Sequence, residues 1–143
     1  MKKITYFILL FVAILFGSCK KYKVVYDADS VIEFKPITVT LAKGTVTTPG
    51  TTTVLVQLVG PQQSTDIAVP YTIDATSTAI AGTHFTTNTS GTVTIPANKS
   101  TGSIVITAIP ANVTSAKKLI LVLSDGAAVP VSQNYKKSTI TIQ

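Results

Sequence analysis

The sequence predicts an all-β domain of about seven short antiparallel strands, and three observations predict it. From Val31 onward, apolar residues alternate with Thr, Ser and other polar residues in short runs. That period of two marks strands with one buried face. Turn-forming clusters separate the runs: Thr48-Pro49-Gly50, Gly60-Pro61, Ala81-Gly82, Ser90-Gly91, Pro96-Ala97-Asn98, Ser124-Asp125-Gly126 and Val129-Pro130, where Gly and Pro supply or fix backbone angles that other residues avoid. The composition is rich in Thr, Val, Ile and Ala, which favours pleated, half-buried surfaces, and no window beyond residue 18 carries a helical period.

The elements follow in order. Ile37, Val39 and Leu41 give the first inward face; Val54, Val56 and Leu58 the second; Ile67, Val69, Tyr71 and Ile73 the third. Val93 and Ile95, then Ile104, Ile106 and Ala108, then Leu119, Leu121 and Leu123, and finally Ile140 and Ile142 complete the set. Strands of this number and spacing indicate an Ig-like sandwich or a barrel. Pro70 interrupts the third run and cannot donate a ladder hydrogen bond, so that strand is expected at a sheet edge or at a bulge.

The first thirty residues have a different character. Met1-Lys2-Lys3 is positive, Ile4 to Phe16 is apolar but for Thr5, and Gly17-Ser18 is small. These are the three parts of a secretory signal. The apolar run has 13 residues, short of the roughly 20 that a spanning helix needs. Residues 1–18 are therefore expected to form a cleaved, helical signal peptide, residues 19–30 a tether, and residues 31–143 the sandwich domain. Cys19 is the single cysteine, so no internal disulfide can form and the fold rests on its apolar core.

Leu15-Phe16-Gly17-Ser18-Cys19 resembles the lipobox of bacterial lipoproteins, with Phe16 bulkier than the residue usual at its position. The resemblance implies that Cys19 becomes the mature N-terminus, with a diacylglyceryl group on sulfur and an acyl chain such as palmitate on the amine. Lys20, Lys21 and Lys23 would lie near anionic headgroups, and eleven extended residues reach about 40 Å. Lys20 departs from the Asp that retains enterobacterial lipoproteins in the inner membrane. The chain also lacks the acidic run that surface lipoproteins of the Bacteroidota carry after the cysteine. By this resemblance the expected location is the outer membrane, facing the periplasm. Asp29-Ser30-Val31 is similar to a short O-glycosylation acceptor of that phylum, which makes Ser30 a candidate modification site.

Within the domain, Val69-Pro70-Tyr71-Thr72-Ile73-Asp74, Ala81-Gly82-Thr83-His84-Phe85 and Gly91-Thr92-Val93-Thr94-Ile95-Pro96 resemble the central run of Calx-β domains. Small lipoprotein domains of the Bacteroidota share the Ala-Gly-x-His-aromatic turn. The likeness implies a single Ig-like, Calx-β-like sandwich. Family members that bind calcium do so with clustered acids at one end, and this chain departs from them there. His84 stands at the Asp of the turn, Ile109-Pro110-Ala111-Asn112 replaces an acid pair, and Ala116-Lys117-Lys118 replaces further acids. Only Asp74 matches an acidic position, so calcium, which takes six to eight oxygen ligands, is not expected.

Other chemistries are excluded on composition. The chain has 12 lysines, six acids and no arginine; without the leader ten lysines remain, for a net charge of +4. Nucleic-acid surfaces lean on arginine forks, and these lysines are dispersed, so no nucleic-acid partner is expected. His84 is the only histidine, too few for a zinc site, and is expected to hydrogen-bond backbone within its turn. The Ser and Thr residues have no base placed to activate them, and the scattered acids do not suggest a glycosidase pair. Sugar-binding sandwiches present exposed rings. Tyr71 and Phe85 sit at core positions, which leaves Tyr135, beside Gln133 and Asn134, as the candidate ligand contact. The expected function is a non-catalytic envelope lipoprotein, without cofactor, whose sandwich mediates protein contacts or spacing. The alternative is a glycan-binding accessory lipoprotein of an outer-membrane uptake system.

Overall fold

The computed structural model describes residues 29–143. The signal peptide, the lipobox Leu15 to Ser18, Cys19 and the lysine-rich part of the tether lie outside the described residues. Nine strands form two facing sheets: β1 (Val31–Lys35), β2 (Thr38–Leu41), β3 (Thr51–Val59), β4 (Ile67–Ile73), β5 (Phe85–Thr87), β6 (Thr92–Ile95), β7 (Thr101–Ala108), β8 (Lys117–Leu123) and β9 (Lys137–Ile142). One sheet has the order β1-β3-β7-β5 and the other β2-β9-β8-β4-β6. Each of the seven runs read from the sequence lies in or overlaps a strand; β1 and β5 are additional.

Both additions have one cause. The chain changes sheets in mid-strand, once on each flank of the sandwich. β1 runs antiparallel to β3 and hands over at Lys35-Pro36-Ile37 to β2, which lies parallel to β9. The direction of the chain is kept while its sheet changes, so one parallel pair replaces the expected wholly antiparallel pattern. The Ser138 hydroxyl, fully buried, donates to the Pro36 carbonyl at 2.8 Å and fastens this crossing. Ile37, expected in the core, lies at the crossing and is 45% exposed. On the other flank, β5 pairs with β7 and the chain crosses at Asn88 to Gly91 into β6, which pairs with β4. Asn88 ends the β5 ladder, its side-chain oxygen accepting from Val105 N at 2.7 Å.

β4 is not an edge strand, which corrects the first expectation from Pro70. It lies between β8 and β6. Residues Ile67–Pro70 pair with β6 and Tyr71–Ile73 with β8, so the ladder changes partner where the proline lacks its N–H. The Pro70 carbonyl still accepts from Ser124 N at 2.9 Å. Ile73, beyond the end of β6, is 41% exposed rather than buried.

The core lies between the sheets. Ile32, Phe34, Val54, Val56, Ile104 and Ile106 face Val69, Ile95, Leu119, Leu121, Ile140 and Ile142, all at most 2% exposed. Each such side chain stabilises the fold by about 1.5–3 kcal/mol through removal from water. Edges are managed as well as faces. Pro130 to Tyr135 runs along β1, with Ile32 N donating to Pro130 O at 2.9 Å and Phe34 N to Tyr135 O at 2.9 Å.

Candidate functional site

The register defines two ends. Val31 lies beside Val59, and Gln57 beside Thr101, so the N-terminal tether emerges with the β3–β4, β6–β7 and β8–β9 connections. The opposite, distal end is formed by residues 42–50, 74–84 and 109–116. The loops of this end are stitched together. Lys43 Nζ donates to Val113 O at 2.7 Å, joining the first loop to the third. Asn112 Nδ2 donates to Thr83 O at 2.8 Å, joining the third to the second.

His84 organises the second loop. Its ring is 8% exposed, and Nδ1 accepts from Ile80 N at 2.9 Å. Its backbone N–H donates to Ile80 O at 2.8 Å, and its carbonyl accepts from Ile109 N at 2.8 Å. Gly82 takes the left-handed angle of the turn, φ +75°, which a side chain would strain. His84→Ala would remove an acceptor from the Ile80 amide, at a cost of about 1–3 kcal/mol. A denaturant midpoint lowered without change in slope is the expected result, with partial recovery in His84→Asn.

Asp74 follows β4 with its side chain 18% exposed. Lys137 Nζ stands 2.8 Å from one carboxylate oxygen, and Thr76 donates its N–H at 3.0 Å and its hydroxyl at 2.7 Å to the other. The hydrogen bond from Lys137, then those from Thr76, hold the carboxyl well below the usual carboxylate range. A carboxylate depressed in the folded state stabilises it above the unfolded pKa of about 3.9 and loses that contribution as pH falls below it. Wild-type protein should therefore lose stability on acidification from about pH 5 downward, and Asp74→Asn should flatten that limb in pH-dependent melting.

These residues do not fit a calcium ion. The Asp74 carboxylate is bound to an ammonium, the Asn112 amide and the His84 ring are committed to backbone partners, and β8 opens on Lys117 and Lys118. Among the described residues, no three of His, Cys, Asp and Glu gather closely enough to hold a metal.

Two cavities open on the β5/β6 flank. One of about 370 Å³ is lined by Tyr71, Ile73, Phe85, Thr89 and Leu121 among others. The other, about 540 Å³, runs between β6 and β7 past Thr92, Thr94, Thr101 and Gly102. Tyr71 is the one titratable group in either lining, and its hydroxyl is held by Thr89 at 2.7 Å. Hydroxyls therefore line both cavities, and neither lining includes a carboxylate or an imidazole. Tyr135 lines neither; its ring is 46% exposed on the opposite flank, its backbone fixed by Phe34. Ser30 is half-buried at the tether end, against Gly60. The distal loops were not legible as a unit, because the bonds joining them span up to 70 positions in sequence.

Two sheets with strands that change sheet on both flanks define a β-sandwich of Ig-like architecture. Comparison with solved structures narrows this to a Calx-β-like sandwich. The apo form of the Calx CBD1 domain superposes with a TM-score of 0.62 at 21% identity, over 80% of this chain and 96% of that one. CBD12 from CALX1.2 gives 0.60 at 22% identity, over 78% of this chain, and the calcium binding domain CBD12 of CALX1.1 gives the same values. The chain spans 43% of the length of each CBD12 structure. No family model and no curated protein matches the chain.

Proposed function

We propose that this protein is a non-catalytic lipoprotein of the cell envelope, anchored through acylated Cys19 to the outer membrane on its periplasmic face, whose sandwich docks another envelope protein. The observation that carries the reading is the position of the only cysteine, directly after small residues that end an apolar leader. Twelve positions later the sandwich begins at Val31, a tether long enough to hold the domain clear of the headgroups. The absence of a carboxylate or imidazole from either cavity lining supports a binding role over a catalytic one. Amine-reactive crosslinking of intact membranes, through the tether and domain lysines, tests the reading. A discrete crosslinked species with a second envelope protein is expected, together with no retention on an oligosaccharide panel. Retention of a glycan at submillimolar concentration, without a protein adduct, would replace this reading with the glycan-binding one.

A further inference from the structure

We infer that the distal tip is the docking surface, and that it takes an acidic, aliphatic-bearing segment of a partner protein; this rests on the protein-contact reading above. The charges of the domain are unevenly placed. Asp29, Glu33, Asp66 and Asp125 belong to the tether half, interspersed there with Lys35, Lys99 and Lys136. Counting side-chain charges, the distal loops and the strand ends that carry them hold Lys43, Lys117 and Lys118 against Asp74, and Asp74 is already neutralised by Lys137. The tip therefore presents net positive charge. It repels a divalent cation and attracts carboxylates.

Two more features narrow the partner. Val46, at the crest of residues 42–50, is 72% exposed, and Ile80, on residues 74–84, is 59% exposed; they are the two most exposed large apolar side chains described. Both ride on loops held by hydrogen bonds to their neighbours, so their presentation is fixed before binding and little ordering cost remains. Residues 42–50, 74–84 and 109–116 contain no Phe, Tyr or Trp, and the His84 ring is buried, so the tip has nothing on which a sugar could stack. Aliphatic side chains and ammonium groups carried on the same end of the sandwich instead match a peptide in which acids alternate with apolar residues, a complementarity of the kind that gives protein interfaces their specificity.

The test uses the full lipoprotein in its own membrane. A photoreactive residue is placed singly at Val46 or Ile80, and for comparison at Gln63 or Asp125 on the tether end. Crosslinks from Val46 and Ile80 into an acidic segment of one envelope protein are expected. They should fall at least about tenfold in K117E/K118E, equivalent to about 1.4 kcal/mol, with thermal stability retained. If that double variant fails to fold, Val46→Asp with the probe at Ile80 takes its place, with the same loss expected. Crosslinks only from Gln63 or Asp125, or into a segment without acids, would overturn the tip as the site while leaving the protein-contact reading intact. A carbohydrate adduct, or no adduct from any of the four positions, would overturn both.

Discussion

Cys19→Ser is expected to abolish lipid anchoring: the variant should appear in the soluble envelope fraction or persist as a precursor held only by its uncleaved leader, while wild type stays with the membrane as mature protein. The size of the effect follows from its parts. Each buried methylene contributes about 0.8 kcal/mol, so one acyl chain binds marginally and two or more bind in effect permanently. The tether lysines, Lys20, Lys21 and Lys23, offer about 1 kcal/mol each near an anionic surface, which salt screens and which cannot replace the chains. Replacing all three by Gln should accordingly leave the wild-type distribution unchanged. A Cys19→Ser protein that had lost its leader and still remained with the membrane after a high-salt wash would contradict the assignment.

Phe85→Ala should have the largest effect on folding. The ring is fully buried in a strand of three residues, where no longer ladder compensates for its loss. Its carbonyl also closes the distal turn by accepting from Gly82 N at 2.9 Å. Truncating a buried Phe costs about 3–5 kcal/mol, and domains of this kind hold about 5–15 kcal/mol in total. A fall in melting temperature of about 10 °C or more is expected, with the sheet flank nearest the 370 Å³ cavity exchanging amide protons fastest. Phe85→Leu, which keeps most of the volume, should lose less than half as much. A shift below about 1 kcal/mol for the alanine variant would mean that β5 contributes little to the core.

The strands were legible because a period of two needs only neighbouring residues to express it. Leu119, Leu121 and Leu123 announce their inward face directly, as do Ile104 and Ile106, and both sets are at most 3% exposed. Alternation does not say which sheet a face belongs to, and so the two sheet changes were hidden. Pro36 marks one of them, but a proline there reads equally as a turn. β5 carries a single apolar residue, Phe85, too little pattern to register. Pro70 pointed to an interrupted ladder, and the ladder is interrupted; the strand nevertheless stays internal because β6 and β8 each pair with half of it. The distal tip depends on Lys43 and Asn112 reaching across loops, contacts that only the folded chain creates, whereas the His84 ring bonds backbone within its own turn, as its place in the sequence suggested.

Attachment through Cys19 is the claim on which the orientation of the domain, the outward-facing tip and the choice of partner all depend. Intact mass spectrometry of detergent-extracted mature protein measures it directly. The expected mature chain starts at residue 19 and carries diacylglyceryl mass, and further acyl mass, on that residue. A mature chain that begins at any other position, or a Cys19 without added lipid, would contradict it.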